Sequence, residues 1–266
     1  MATELASAAG RNQLKSAETF RRLHVPGDPV LLYNVWDAGS AKIVADAGAK
    51  AIATSSWAVA KANGFADGEH FPFELAMQNL RRIVEAVELP VTVDLESGYG
   101  DKASQVAKSV SLAIEAGAVG CNLEDSVPAT GAVRDIATQM ERVREARKAA
   151  EASNVSFFIN ARCDLFFQTG DSVPHDEELL AKAIERAQAY AEAGAYGFFV
   201  PGLTNISLIS TLAKKSPVPI NILADSTTSI RVLADNGVSR VSYGATPYVE
   251  LLHALKRDAH SISHWR

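Results

Sequence analysis

Hydrophobic positions along the chain follow two alternating rhythms. Short runs rich in Val, Ile and Phe at 30–35, 51–56, 90–96, 119–125, 155–162, 197–201, 219–224 and 240–244 have the length and flanks of buried strands. Between them, over 73–86, 103–116, 136–152 and 177–193, apolar residues return every three to four positions, the period of a helix packed on one face. Strands alternating with helices imply right-handed crossovers and a parallel sheet. Eight such units close into a barrel more readily than they stay open. The predicted fold is therefore an α/β, (β/α)8 TIM barrel spanning 1–266 as a single domain. An extra N-terminal helix at 12–22 is expected to cover the bottom of the barrel. The helix exits agree: Gly48, Gly117, Gly194 and Gly237 each stand just before a strand, where a left-handed cap needs no Cβ.

Composition narrows the function. The 266 residues are 47% hydrophobic and 21% charged, as in a folded globular protein, with a net charge of −5. That balance offers no basic footprint for nucleic acid or an acidic membrane. Its apolar stretches are too short or too interrupted to span a bilayer. The first residues lack the basic end and apolar core of a signal peptide, and two cysteines, Cys121 and Cys163, make no disulfide framework, so a cytoplasmic location is expected. Both read as buried structural thiols. No glycine-rich nucleotide loop appears. None of the six histidines shows metal-ligand spacing; His70 and His175 fall in strand-to-helix loops, and His24, His253, His260 and His264 on terminal helices or tails.

Chemistry in such barrels sits at the C-terminal ends of the strands, and here those ends are acidic. The third strand closes on Asp94-Leu95-Glu96-Ser97-Gly98-Tyr99-Gly100 and the fourth on Asn122-Leu123-Glu124-Asp125. Alternation puts Asp94 and Glu96 on one face of their strand, as it does Asn122 and Glu124 on theirs, with Asp94, Glu96 and Glu124 directed inward. Three converging carboxylates repel one another unless a cation intervenes, and Mg2+, with its preference for oxygen ligands and retained waters, suits them. A surface ion-pair network at the loop entrances is the alternative. Asn160 and Arg162 share a face at the end of the fifth strand, where an arginine can grip a substrate carboxylate or simply neutralise the acids. After the second strand, Ser55, Ser56 and Trp57 precede a loop to Asp67. Small hydroxyl residues there can cradle an anionic oxygen, although Trp57 equally suits packing.

Together these segments resemble the isocitrate lyase/phosphoenolpyruvate mutase superfamily, from about Leu31 to about Gly244. Asn34-Val35-Trp36-Asp37-Ala38 is in the same style. By that resemblance Asp94 is the direct Mg2+ ligand, Glu96 stands where many relatives have aspartate, and Glu124 and Asp67 match the other acidic positions. Ser55, Ser56 and Trp57 match the segment that holds the substrate carboxylate, and Arg162 the arginine that contacts substrate. Relatives share an enolpyruvate-like species whose oxygens chelate the metal. The carbon–carbon lyases carry a Lys-(Lys/Arg)-Cys-Gly-His motif after the fourth strand; here 125–135 read Asp-Ser-Val-Pro-Ala-Thr-Gly-Ala-Val-Arg-Asp, without cysteine, lysine or histidine. The phosphonate-processing members carry Lys-Thr-Asn there and a histidine after the sixth strand, where this chain has Val200-Pro201-Gly202. The expected function is a Mg2+-dependent lyase of a small 2-oxo or 2-hydroxy acid, by decarboxylation or C–C cleavage. A phosphoenolpyruvate/phosphonopyruvate mutase-like enzyme and a catalytically silent 2-oxo-acid binding protein are the alternatives. Residues 126–135, with few apolar anchors, read as a lid. The resemblance also implies a homo-oligomer, since relatives often exchange their last helix.

Overall fold

Each strand-forming run meets its neighbour in chain order, because each intervening helix returns the chain to the same edge of the sheet. A computed structural model describes residues 2–169 and 175–263. Its eight strands are β1 (Val30–Leu32), β2 (Ile52–Ala53), β3 (Val91–Asp94), β4 (Gly120–Glu124), β5 (Phe158–Arg162), β6 (Gly197–Phe199), β7 (Ile220–Leu223) and β8 (Arg240–Ser242). All are parallel, in the order β1-β8-β7-β6-β5-β4-β3-β2. The remaining seam, between β1 and β2, is bridged by Val35 N–H to Ala53 O at 2.9 Å and Ser55 N–H to Val35 O at 3.0 Å. The result is a nearly closed (β/α)8 barrel, as expected. His264 lies outside the described residues.

Among the described residues the helices are α1 (Ala2–Arg22), α2 (Ala38–Asp46), α3 (Ser56–Ala62), α4 (Phe73–Ala86), α5 (Ala103–Glu115), α6 (Ile136–Ala152), α7 (Leu165–Thr169), α8 (Glu177–Glu192), α9 (Ile206–Lys215), α10 (Ile230–Asp235) and α11 (Thr246–Ser263). Asp135 and Asp176 cap α6 and α8 by accepting from the Thr138 and Leu179 amides at 2.8 and 3.0 Å. At the exit of α5, Gly117 has φ +97°, and a Cβ there would lie 2.7 Å from Val84 Cγ1. Glycine is required both for the turn and for the packing. No helix among the described residues is long and apolar enough to cross a membrane.

The N-terminal helix plugs the barrel floor. Phe20 of α1 is fully buried and meets Phe158 edge-on at 5.6 Å, while His24, just beyond the helix, stacks on Phe158 at 3.9 Å. Above this apolar plug lies a polar layer. Arg240 Nη2 and Asn160 Nδ2 both donate to Asn122 Oδ1, at 3.0 and 2.9 Å, and Asn221 Nδ2 donates to Ser242 Oγ at 3.1 Å. These contacts pair most of the layer's polar atoms, while Asn160 Oδ1 and Arg240 Nη1 are buried without a partner. The layer forms the base of the cavity at the strands' C-terminal ends.

Candidate active site

A cavity of about 510 Å3 opens at the C-terminal ends of the strands, lined by Ser55, Ser56, Trp57, Asp67, Asp94, Asn122 and Arg162 among others. Asp94 is the last residue of β3. Ser56 donates to its Oδ2 twice, from the hydroxyl at 2.7 Å and from the backbone amide at 3.2 Å. Asp94 Oδ1 is buried and has no hydrogen-bond partner. One oxygen is thus fixed by protein, and the other is left for something else. The 51–56 run does not continue as a strand: the chain turns after Thr54 into α3, with Ser55 Oγ accepting from the Ala58 amide at 3.4 Å. The loop expected between Trp57 and Asp67 is therefore helical up to Ala62, and the Ser56 donors serve Asp94.

The strand alternation that placed Glu96 beside Asp94 stops at Asp94. Leu95 is fully buried, and Glu96 has φ +50°. Glu96 Oε2 accepts the amides of Gly68 and Glu69 at 2.9 and 2.6 Å, and Oε1 accepts the Tyr99 hydroxyl at 2.9 Å. Glu69 returns the arrangement, its Oε1 accepting from the Ser97 hydroxyl at 2.6 Å and the Tyr99 amide at 2.7 Å. Glu69, Glu96 and Tyr99 all hold positive φ, a backbone cost of about 1–3 kcal/mol each offset by these bonds. Burial, and secondarily Asp94, push Glu96 up to about 7, opposed by the Glu69 amide. Asp67, on the exposed rim, is likewise pushed upward by partial burial and then by Asp94.

Within β4 and β5 the alternation holds. Glu124 pairs in register with Arg162. Arg162 Nη1 meets Glu124 Oε2 at 2.8 Å and Nε meets Asp164 Oδ1 at 2.6 Å. Burial works against this guanidinium, but Glu124, Asp164 and Asp94 together raise its pKa. Burial raises Glu124, with Arg162 opposing. Ser126 Oγ lies 2.8 Å from both Glu124 Oε1 and Asp164 Oδ2. A hydroxyl carries one proton, so satisfying both contacts needs a proton on one carboxyl.

Asp94, Glu96 and Glu124 are thus not gathered on one point. Neither Glu96 nor Glu124 lines the cavity, and among the described residues no group of three or more His, Cys, Asp or Glu side chains is arranged to hold a metal ion. Asn160 also lies outside the lining, in the polar layer behind Asn122. Both cysteines are free and buried, with burial pushing the Cys121 thiol up to about 12 and Cys163 well above its ordinary value. Sequence reasoning missed Asp164, Ser126 and Thr54, whose hydroxyl accepts the Asp94 amide at 2.9 Å. Asp164 carried no alternation signal, since it lies two residues past Arg162, the last residue of β5. The 126–135 segment folds on itself, with Val127 N–H to Ala132 O at 2.9 Å and Arg134 N–H to Asp125 O at 2.8 Å.

A sequence profile described as phosphoenolpyruvate phosphomutase matches residues 20–263. The chain belongs to that family, within the isocitrate lyase/phosphoenolpyruvate mutase superfamily. A crystal structure of a proposed phosphonomutase from Burkholderia cenocepacia is 50% identical, with a TM-score of 0.90 over 92% of this chain and 99% of that one. The 2-methylisocitrate lyase of Escherichia coli is 32% identical over 209 residues, 76% of this chain and 68% of the relative. Phosphonopyruvate hydrolase in complex with oxalate and Mg2+ shares the fold at 21% identity and a TM-score of 0.74, over 92% of this chain and 88% of that one. Relatives named for an activity include 2-methylisocitrate lyases and an oxaloacetate decarboxylase, and membership of this family supports an enzyme.

Proposed function

We propose that this family member is a Mg2+-dependent lyase of a small 2-oxo or 2-hydroxy acid, working by decarboxylation or C–C cleavage. The observation that carries this reading is the divided state of Asp94: Oδ2 held by Ser56, Oδ1 buried beside the cavity without a partner. A bare carboxylate oxygen in that setting is costly unless a cation or proton meets it. Mg2+ fits because it binds through one or two carboxylates and otherwise keeps waters or substrate oxygens, which needs no three-residue cage. Asp94 would hold it directly, with Asp67, Glu96 and Glu124 acting at longer range. When bound, such an ion supplies Lewis-acid polarisation of a substrate oxygen.

The chain's own residues do the rest. Ser56 fixes the Asp94 rotamer. Ser55, Ser56 and Trp57 form the wall against which a carboxylate head sits. Arg162, anchored by Glu124 and Asp164, turns the remaining part of its guanidinium toward substrate. Asp67, pushed upward from its ordinary value by partial burial and then by Asp94, and lining the cavity, is the group placed to hold and return a proton. A mutase-like reading has one observation in its favour, the 50% identity to a proposed phosphonomutase. Against it, Arg162 is the one lysine or arginine lining the cavity among the described residues, and it is already paired, which leaves little to receive a phosphoryl group. A 31P NMR time course on phosphonopyruvate separates the two. The reading includes a cytoplasmic homo-oligomer, in which a second copy would cover the exposed Leu251, Leu255 and Ile262 of α11.

The deciding experiment is calorimetric titration of oxalate in the presence of Mg2+. Asp94→Asn preserves size and the Ser56 bonds but removes the charge. A loss of at least tenfold in oxalate affinity, with the melting temperature little changed, is expected. Unchanged affinity in the variant, or equal affinity in EDTA, would remove the cation from this site.

A further inference from the structure

The same cavity has a second wall that the Asp94 chemistry does not use. Going round the barrel from Asp94 on β3, the strands run β4, β5, β6, β7. In a ring of eight, β7 lies across the mouth from β3. There the lining turns apolar: Phe199 closes β6, Pro201 follows it, Leu223 closes β7, and Val249 comes from α11. Register confirms that these follow on from Arg162, which pairs with Phe199, and Phe199 in turn with Asn221 of β7. Phe167 of α7 lies under the Arg162 guanidinium at 5.3 Å, which turns another ring toward this side.

Charge decides what such a wall can accept. Besides Arg162, the basic group lining the cavity among the described residues is His253, which is exposed on α11 with the acidic Glu250 also lining the cavity. Arg162 already faces two carboxylates, Glu124 and Asp164, at 2.8 and 2.6 Å. A second substrate carboxylate placed against Phe199, Pro201 and Leu223 would lose its hydration and gain no cation. An aliphatic group there would instead bury apolar surface on both sides.

We infer that the ligand of this site is a 2-oxo or 2-hydroxy acid with one carboxylate head and an aliphatic tail, the tail lying against Phe199, Pro201 and Leu223. This rests on the Asp94-centred head site proposed above, names the substrate class, and selects C–C cleavage of the two reactions, since loss of CO2 to leave an enolate needs a second carboxylate. Leu223 is then a specificity-determining residue, set opposite the charged end.

Binding of a homologous series tests it. With the full chain and Mg2+, oxalate reports the head alone, pyruvate and 2-oxopentanoate report the tail, and 2-oxoglutarate carries a tail carboxylate. Each buried methylene should improve affinity about fourfold. 2-Oxopentanoate should therefore bind about tenfold or more tightly than pyruvate, and 2-oxoglutarate no more tightly than pyruvate. Leu223→Arg should reverse the order of 2-oxopentanoate and 2-oxoglutarate, and Leu223→Asn, close in size, should remove the gain of 2-oxopentanoate over pyruvate. Oxalate binding with a flat tail series, or with 2-oxoglutarate the tighter ligand of the wild-type chain, overturns the inference and leaves the head site standing. Failure of oxalate and pyruvate alike overturns the head site, and the inference with it.

Discussion

Ser56 settles what Asp94 can do, and Asp164 settles what Arg162 can do. The Arg162 expectation from sequence was a fork for substrate; the structure gives most of that fork to two carboxylates of the protein, one of them, Asp164, fully buried. Arg162 therefore carries folding as well as ligand charge. Arg162→Lys keeps one charge but reaches one partner, leaving a buried carboxylate short of its cation. Breaking a buried pair outright costs about 3–5 kcal/mol, and the lysine should forfeit part of that. At about 2–4 °C per kcal/mol for a chain of this size, a melting temperature lower by several degrees is expected, together with weaker oxalate binding. Differential scanning calorimetry beside calorimetric titration checks both; a fall in affinity with no change in melting would mean that Glu124 and Asp164 are satisfied without Arg162. The residues legible in sequence were those inside a strand. Glu124 and Arg162 follow the period of two, whereas Glu96 lies past the end of β3 in a left-handed conformation, where that period has no force.

The connections between elements hold the site in place, and they were the part least visible beforehand. Helices α4 and α6 match their expected bounds because an amphipathic period and a cap or proline marked both ends. Every strand is shorter than its hydrophobic run, since the outer residues of each run leave the ladder to form cavity walls or tight bends. Before β5, for example, the Phe157 amide turns back to Val155 O at 2.7 Å. The short helix α3 has too little sequence signal to distinguish it from a loop, since only the seven residues Ser-Trp-Ala-Val-Ala-Lys-Ala carry it. Arg142 of α6, almost fully buried, shows how a distant element supports the loop after β3. Its Nη1 donates to Gly100 O at 2.9 Å and Asp101 O at 2.6 Å, and its Nη2 donates to Ser97 O. Burial lowers it to about 10, still charged at neutral pH. Arg142→Ala strands three carbonyls and leaves a cavity, so a loss of about 3–5 kcal/mol in urea unfolding is expected. Tyr99 and Glu96 sit on this loop, and the amides of residues 97–101 should exchange faster in the variant. Retained stability with unchanged exchange would show that the loop holds itself through Glu69 and Glu96.

At the scale of the whole barrel, floor and mouth respond to acid in opposite senses. His24 in the floor is buried and neutral: Nδ1–H donates to Phe20 O at 2.8 Å, and Nε2 is buried without a partner. Burial, and then Arg240, lower its pKa to about 3. A histidine whose folded pKa lies below its unfolded value of about 6.5 contributes stability above pH 6.5 that is lost as pH falls toward 3. Glu96 at the mouth has the reverse sign: raised to about 7, it binds a proton more readily folded than unfolded, so acidification from pH 7 toward 4.5 favours the fold. Between pH 7.5 and 5 each of these contributions amounts to about 2 kcal/mol, and they oppose one another. Asp67 and Asp125, also raised, act in the same direction as Glu96. Wild-type stability in EDTA, which keeps cations off the mouth, therefore follows the raised carboxyls, with the His24 contribution subtracted from theirs. His24→Phe keeps the stack on Phe158 and removes the titration, so the variant should gain stability relative to wild type by about 2 kcal/mol on going from pH 7.5 to 5. Urea unfolding of both proteins at the two pH values measures that difference directly. Parallel pH profiles would mean that His24 takes up its proton without leaving the fold, and that the floor, like the mouth, admits charge.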